Sequence, residues 1–246
     1  MSPTIYHDEP PVELQEVRGG RLPARYGVRM QDIFLDRLAP LMHPGINILD
    51  VGPGRSPTLD PRDRPAGCRY VGIDISSEEL EEAGPGAYTE AFTHDVTLPI
   101  EEVGEFDLVI SWQVLEHVSS MEAALANLRA ILRPGGTMLA QTSGSLAVFA
   151  LLSRMIPHKG RVWLMERLLD HPRELKFPTR YDRCHARALD QLLAEWSDVE
   201  LIPFYRAATY FSMARPLQRA YLVYEDAIAR HTVRDLATHY LIVATR

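Results

Sequence analysis

The chain has 246 residues, 46% of them apolar, 24% charged and 8% aromatic, enough to bury a large core and too apolar for a disordered chain. Its formal net charge of −7 lacks the electropositive excess that phosphate backbones attract, so DNA and RNA are disfavoured as substrates. Two cysteines, Cys68 and Cys184, stand far apart without His or Cys partners at ligand spacing; this argues against a disulfide framework and a zinc site, and fits a reducing cytoplasm.

The opening Met1-Ser-Pro-Thr-Ile-Tyr-His-Asp-Glu-Pro-Pro has neither the basic start nor the apolar stretch of a signal or anchor and is expected to begin as a flexible arm. Met30, Ile33, Phe34, Leu38 and Leu41 then recur at helical spacing, which predicts an amphipathic helix over 29–42. Ile46-Asn-Ile-Leu-Asp-Val-Gly52 is a short apolar run breaking into Gly-Pro-Gly, the pattern of a buried strand that ends in a tight turn. Strands follow at 69–74, 87–95 and 106–111, with a serine-capped helix over 76–83 between the first two. A helix over 119–132, capped by Ser119 or Ser120, is stopped by Arg133-Pro-Gly-Gly136 before a strand at 137–141. This alternation predicts an α/β fold with a mainly parallel sheet covered on both faces.

Beyond Thr142 the rhythm loosens. An apolar helix is expected over 145–156, too short to cross a bilayer and best read as buried, although contact with a lipid-linked molecule fits it too. An irregular insertion runs from 157 to 183, and Arg161, Arg167, Arg173, Lys176, Arg180, Arg183 and Arg187 are interleaved with acids into a solvated mixed-charge surface. Helices over 186–196 and 214–230 and strands at 198–204 and 239–245 complete the chain, which is expected to be one domain.

The chemistry is concentrated at strand ends. Asp50-Val-Gly-Pro-Gly-Arg-Ser56 lies where the open end of a parallel sheet places ligands, and Gly52 and Gly54 permit close backbone approach. A dinucleotide fingerprint needs a further glycine at position 57, which is proline; Pro57, Pro61 and Pro65 also make a poor helix to receive a pyrophosphate. Asp74 closes the second strand 24 residues after Asp50, at the place of an acid that accepts ribose hydroxyls. Asp95-Val96 falls at the end of the third strand, where a carboxylate accepts from an adenine amino group and the valine packs on the ring.

Together, Asp50-Val-Gly-Pro-Gly, Gly72-Ile-Asp74-Ile75, His94-Asp95-Val96, Phe106-Asp-Leu-Val-Ile-Ser-Trp-Gln-Val-Leu-Glu-His117 and Leu132-Arg-Pro-Gly-Gly136 resemble the class I, Rossmann-like S-adenosylmethionine-dependent methyltransferases. The resemblance covers about residues 26–142. It implies a seven-stranded, mainly parallel, doubly wound sheet with an antiparallel last strand. Residues 1–45 would form an arm and helix, 46–142 the cofactor core, and 143–246 the acceptor-side insertions and last strands. It further implies that Asp50, Gly52 and Gly54 line the methionine moiety, that Asp74 and the following Ile75 hold the ribose side, and that Asp95 and Val96 hold adenine. Trp112 and Gln113 would close over the cofactor, and Arg25 or Tyr26 would reach its carboxylate. The family often carries a third glycine where Ser56 stands, so the backbone approach there is looser or includes a hydroxyl.

Methyl transfer is an in-line displacement that needs alignment and a dry site, and a base only when the acceptor is a hydroxyl. Among nine histidines, His117 is nearest the transfer site and is the candidate base, with a packing role the stronger reading. His158, His171 and His185 sit in the insertion over the acceptor pocket. No loop pattern for base amino methylation, no Pro-Cys pair and no acidic metal cluster appears, so no metal is expected. The favoured activity is O-methylation of a sugar, glycolipid or secondary metabolite. The alternatives are an NAD(P)-dependent oxidoreductase, opposed by Pro57, and a non-catalytic adenosine-binding regulator.

Overall fold

A computed structural model of the protein describes residues 15–17, 20–100, 103–148, 150–151, 178–211 and 214–246. Gln15–Val17 (β1) and Gly20–Leu22 (β2) pair antiparallel as a small hairpin, where the reading had an arm without strands. The first helix, Met30–Leu38 (α1), buries Ile33, Phe34 and Leu38, the stripe that its spacing predicts.

Seven strands form one sheet. They are Asn47–Val51 (β3), Arg69–Asp74 (β4), Glu90–Thr93 (β5), Phe106–Trp112 (β6), Leu132–Ser143 (β7), Ser197–Phe204 (β8) and His239–Thr245 (β9). Their spatial order is β5-β4-β3-β6-β7-β9-β8. β3 to β7 run parallel, and β9 enters antiparallel between β7 and β8, as expected of the last strand. The strands lie between two apolar layers, which is why β3 and β4 read as continuous rather than alternating apolar runs. Ile48, Tyr70, Leu108, Ile110, Leu139 and Leu241 meet Phe34 and Leu38 of α1 on one face. On the other, Leu49, Val71, Val109 and Met138 meet Leu125 and Leu128 of Met121–Ile131 (α3) and Leu189 of Ala186–Leu192 (α4).

From β3 the chain winds outward to β4 and β5 and then crosses to β6 and β7 on the other side. The crossover opens a crevice at the carboxyl ends of β3 and β6, the place where such sheets take ligands. Ser76 caps the short helix Ser77–Glu81 (α2), accepting from the Glu79 amide, and Ser120 caps α3 from the Ala123 amide. The last helix is Arg215–Arg230 (α5).

Two expectations need correction. Arg133-Pro-Gly-Gly136 does not separate helix from strand: β7 begins at Leu132, directly after α3. The glycines instead absorb an irregular strand entry, with Gly135 at φ 81° and the register shifting between Phe106 and Leu108. The third strand is only Glu90–Thr93, exposed at the sheet edge. Of the apolar helix expected over 145–156, Val148, Ala150 and Leu151 are helical; 149, 152–156 and most of the insertion, with His158 and His171, lie outside the described residues. No helix among the described residues is long and apolar enough to cross a membrane.

Candidate cofactor site

The turn after β3 is left-handed at both glycines, with φ 70° at Gly52 and 55° at Gly54. Gly52 donates its amide to the Ile73 carbonyl at 2.7 Å, tying the turn to β4. A Cβ on Gly52 would lie 2.4 Å from a methyl of Val114, so the loop after β6 rests directly on this glycine. Between the turn and β4 only a 3₁₀ turn, Pro61–Asp63, is formed, so no α-helix presents its N-terminus to a pyrophosphate.

Asp50 is completely buried, and its carboxylate is engaged inside the loop. It accepts from the Thr58 amide at 2.8 Å, the Thr58 hydroxyl at 2.7 Å and the Tyr70 hydroxyl. This geometry makes Asp50 a brace of the glycine turn rather than a direct ligand contact. Tyr70 stacks on Tyr88 with ring centroids 6.2 Å apart, and the Arg64 guanidinium lies over the Tyr70 ring, 3.6 Å from its centroid. Tyr88 crosses Gly72, where a Cβ would meet its ring at 2.7 Å, and donates its hydroxyl to the Gly54 carbonyl at 2.6 Å. These braces were not among the residues singled out from the sequence. Their one local signal is Gly72 in mid-strand, a mark of close approach.

Burial raises the Asp50 pKa to about 6 from an ordinary 3.8, against the lowering effect of its three hydrogen bonds. The proton is thus held more tightly folded than unfolded. The stability this confers is complete below about pH 4 and is lost as pH rises through 6, a change of about 3 kcal/mol. His239, pushed down to about 4 by burial, acts oppositely: its contribution is present above about pH 6.5 and fades as pH falls through 4. Urea unfolding from pH 4.5 to 7.5 should therefore show wild type losing stability relative to Asp50→Asn as pH rises. Parallel pH profiles would contradict the assignment.

Asp74 ends β4 at 8% exposure, and burial raises its pKa. Its Oδ2 accepts from the Gly54 amide at 3.0 Å and its Oδ1 from the Ser76 amide at 2.9 Å. The acid and the glycine turn, 20 residues apart, are thereby joined. Each oxygen keeps acceptor capacity for a ribose hydroxyl. The next side chain, Ile75, is 60% exposed and offers an apolar surface beside it. The Asp74 carbonyl receives the His94 amide at 2.8 Å, which brings Asp95 and Val96 to the same edge. Asp95 holds Thr97 through Oδ1, leaving Oδ2 without a hydrogen bond among the described residues, and Val96 is buried with its carbonyl held by Asn127. A ribose, an adenine amino group and an adenine face are the groups these positions fit.

The loop after β6 departs from expectation. β6 continues through Trp112, and strand alternation turns the indole onto the α1 face, edge-on to Phe34 with centroids 5.2 Å apart. Gln113 is exposed in the left-handed region at φ 57°, its amide donating to the Gln141 carbonyl. The residue that meets the glycine turn is Val114. Glu116 is buried, accepting from the Thr142 and Ser143 hydroxyls at 3.1 and 2.7 Å, while its carbonyl receives the Arg180 and Tyr181 amides. His117 follows, half-buried, its Nδ1 without a hydrogen-bond partner. Arg25 and Tyr26 are drawn elsewhere: the fully buried Glu225 accepts from Arg25 at 2.8 Å and from the Tyr26 hydroxyl, and Arg25 also pairs with Asp226. A buried carboxylate demands such donors, and it takes these two from the methionine carboxylate expected of them.

A methyltransferase-domain family profile matches residues 25–210. The ubiquinone biosynthesis O-methyltransferase of Methylocella silvestris is 34% identical over 119 residues, 46% of this chain and 46% of that protein. That of Mesorhizobium japonicum is 29% identical over 141 residues, 55% of this chain and 53% of the relative. The chain thus spans about half the length of the curated relatives it matches. Phosphoethanolamine N-methyltransferase 2 of Haemonchus contortus, solved with S-adenosylmethionine, superposes with TM-score 0.56 at 15% identity, over 88% of this chain and 52% of that one. The [4+2]-cyclase SpnF superposes with TM-score 0.54 at 16% identity, over 96% and 86%. With the strand order, the left-handed glycine turn and the acid joined to it, the family match shows that the chain belongs to the class I S-adenosylmethionine-dependent methyltransferases.

Proposed function

We propose that the protein transfers a methyl group from S-adenosylmethionine to a hydroxyl of a small molecule: a sugar, a glycolipid or a secondary metabolite. The observation that carries the cofactor half is the Asp74–Gly54 hydrogen bond at the crossover, flanked by exposed Ile75 and by Asp95 and Val96. The O-methyltransferase names of the relatives support a hydroxyl as the receiving group. The bound cofactor supplies a methyl group already activated on a sulfonium. The work of the chain is then to hold and align: Asp74 fixes the ribose, Asp95 and Val96 the adenine, and the Gly52–Gly54 backbone the methionine end, with the loop 113–117 above it. His117, the last residue of this loop, supplies an imidazole for the hydroxyl proton. The reading assigns the enzyme to a reducing cytoplasm, in keeping with two free cysteines.

SpnF, a cyclase on the same fold, illustrates that architecture does not set the reaction. Turnover decides. Calorimetry should show binding of S-adenosylmethionine and S-adenosylhomocysteine and none of NAD. Methyl-labelled cofactor should yield labelled ether product from a hydroxyl acceptor. Cofactor binding without transfer to any hydroxyl compound would refute the catalytic reading, and NAD binding would revive the dinucleotide one.

A further inference from the structure

Gln141 is 1% exposed, and both atoms of its side-chain amide are buried without a hydrogen-bond partner. Which atom is oxygen and which nitrogen does not matter, since neither is paired. A desolvated amide with nothing returned is a cost to the fold, and folded proteins rarely keep one unless a water or a ligand completes it. Its place argues for a ligand. Gln141 lies two residues before the carboxyl end of β7, in register with Trp112 on β6 and Leu241 on β9, and its carbonyl receives the Gln113 amide. Strand β7 is two strands beyond β3, about 10 Å from the glycine turn at ordinary strand spacing. That is past the cofactor residues of β3, β4 and β5, on the side where a methyl acceptor must stand.

A second polar group shares this face. His239 opens β9 opposite Ser143, diagonal to Gln141 at a usual distance of about 7–8 Å. Its tautomer follows from its neighbours. The Thr238 hydroxyl donates to the Phe204 carbonyl at 2.8 Å and accepts from the Arg206 amide at 2.9 Å, so toward the His239 Nδ1 at 3.1 Å it acts as acceptor. Nδ1 therefore carries the proton, and Nε2 presents a lone pair.

Building on the O-methylation reading, we propose that Gln141 is a specificity-determining residue that binds the acceptor through its amide, with His239 Nε2 as a neighbouring hydrogen-bond acceptor. A neutral amide offers one donor and one acceptor function. Together with a lone pair beside it, this suits an uncharged group with a hydroxyl next to a second oxygen, such as a vicinal diol, better than a carboxylate or phosphate.

The test compares wild type with Gln141→Leu, using catechol and methyl glucoside as uncharged vicinal-diol probes and methyl-labelled S-adenosylmethionine. For the probe that wild type methylates, Q141L should lose about 10- to 100-fold in kcat/KM, mainly through KM, because the hydroxyl it must bind is left unpaired. Its affinity for S-adenosylhomocysteine should stay within about twofold of wild type. Its Tm should be unchanged or a few degrees higher, since an orphaned amide has been replaced by an apolar group of similar size. An unchanged KM, or a Tm lower by several degrees, would overturn the proposal and make the amide structural. Wild type that binds S-adenosylhomocysteine and methylates other hydroxyl compounds but neither diol would overturn the vicinal-diol assignment, while failure with every hydroxyl compound would overturn the reading on which it rests.

Discussion

Asp74→Ala is expected to weaken S-adenosylhomocysteine binding by about two to three orders of magnitude. Two hydrogen bonds from ribose hydroxyls to a carboxylate are each worth about 1.5–3 kcal/mol, and about 3–4 kcal/mol in all converts to that factor. The same change releases the Gly54 and Ser76 amides, which Asp74 holds at 3.0 and 2.9 Å, so the glycine turn and the start of α2 lose their common anchor. Asp74→Asn is the milder form of both effects, since its NH2 can accept from neither amide while its oxygen still holds one of them. It keeps one acceptor oxygen and the shape, and should lose about 10-fold, within the worth of one charge-assisted bond. Burial raises the Asp74 pKa, so wild-type affinity should fall in acid as the carboxylate protonates, a dependence absent from D74N. Calorimetry at two pH values measures both. Full affinity in D74A, with circular dichroism confirming the fold, would remove Asp74 from the cofactor site.

The legible parts of the fold are those where local chemistry and tertiary context agree. The strands Arg69–Asp74 and His239–Thr245 and the caps Ser76 and Ser120 stand where their residue patterns put them. Arg133-Pro-Gly-Gly136 was misleading because Pro and Gly mark an irregularity without saying which kind, and here it is a strand entry beside the Arg133–Asp107 ion pair. Trp112, expected in the loop, is the last residue of β6, and strand alternation there directs its indole onto Phe34.

At the site, Gly52, Gly54 and Asp74 were visible because their spacing is local to two strand ends. Tyr70, Tyr88 and Arg64 were not, because they act across the stack they form with each other, and no periodicity announces a stack. Gln141 was hidden for a related reason: a glutamine within an apolar strand carries no motif, and only its burial without a partner sets it apart. Arg25 shows the reverse, since its position before α1 suggested a ligand contact, while Glu225, 200 residues away, claims it in the fold.

Gly52→Ala should be among the most damaging single substitutions in the chain, because two independent costs fall on one methyl group. The left-handed φ of 70° costs a non-glycine residue about 1–2 kcal/mol. The new Cβ would also stand 2.4 and 2.6 Å from the two Val114 methyls, and relieving such overpacking costs typically about 1–3 kcal/mol. The sum, about 2–5 kcal/mol, should lower Tm by roughly 5–15 °C in a protein of this size. Cofactor affinity should fall with it, because moving Val114 drags the loop that leads to Glu116 and His117. Val114→Ala distinguishes the two costs. In the Gly52→Ala background it removes both clashing methyls and leaves only the Val114 Cβ at a tight 3.0 Å, so it should restore most of the packing loss and none of the backbone loss. A cycle of G52A, V114A and the double variant should therefore show a coupling of about 1–3 kcal/mol, far outside the few tenths expected of independent sites. Additive losses would mean that the β6 loop does not rest on this glycine, and that its conservation of space there serves the backbone turn alone.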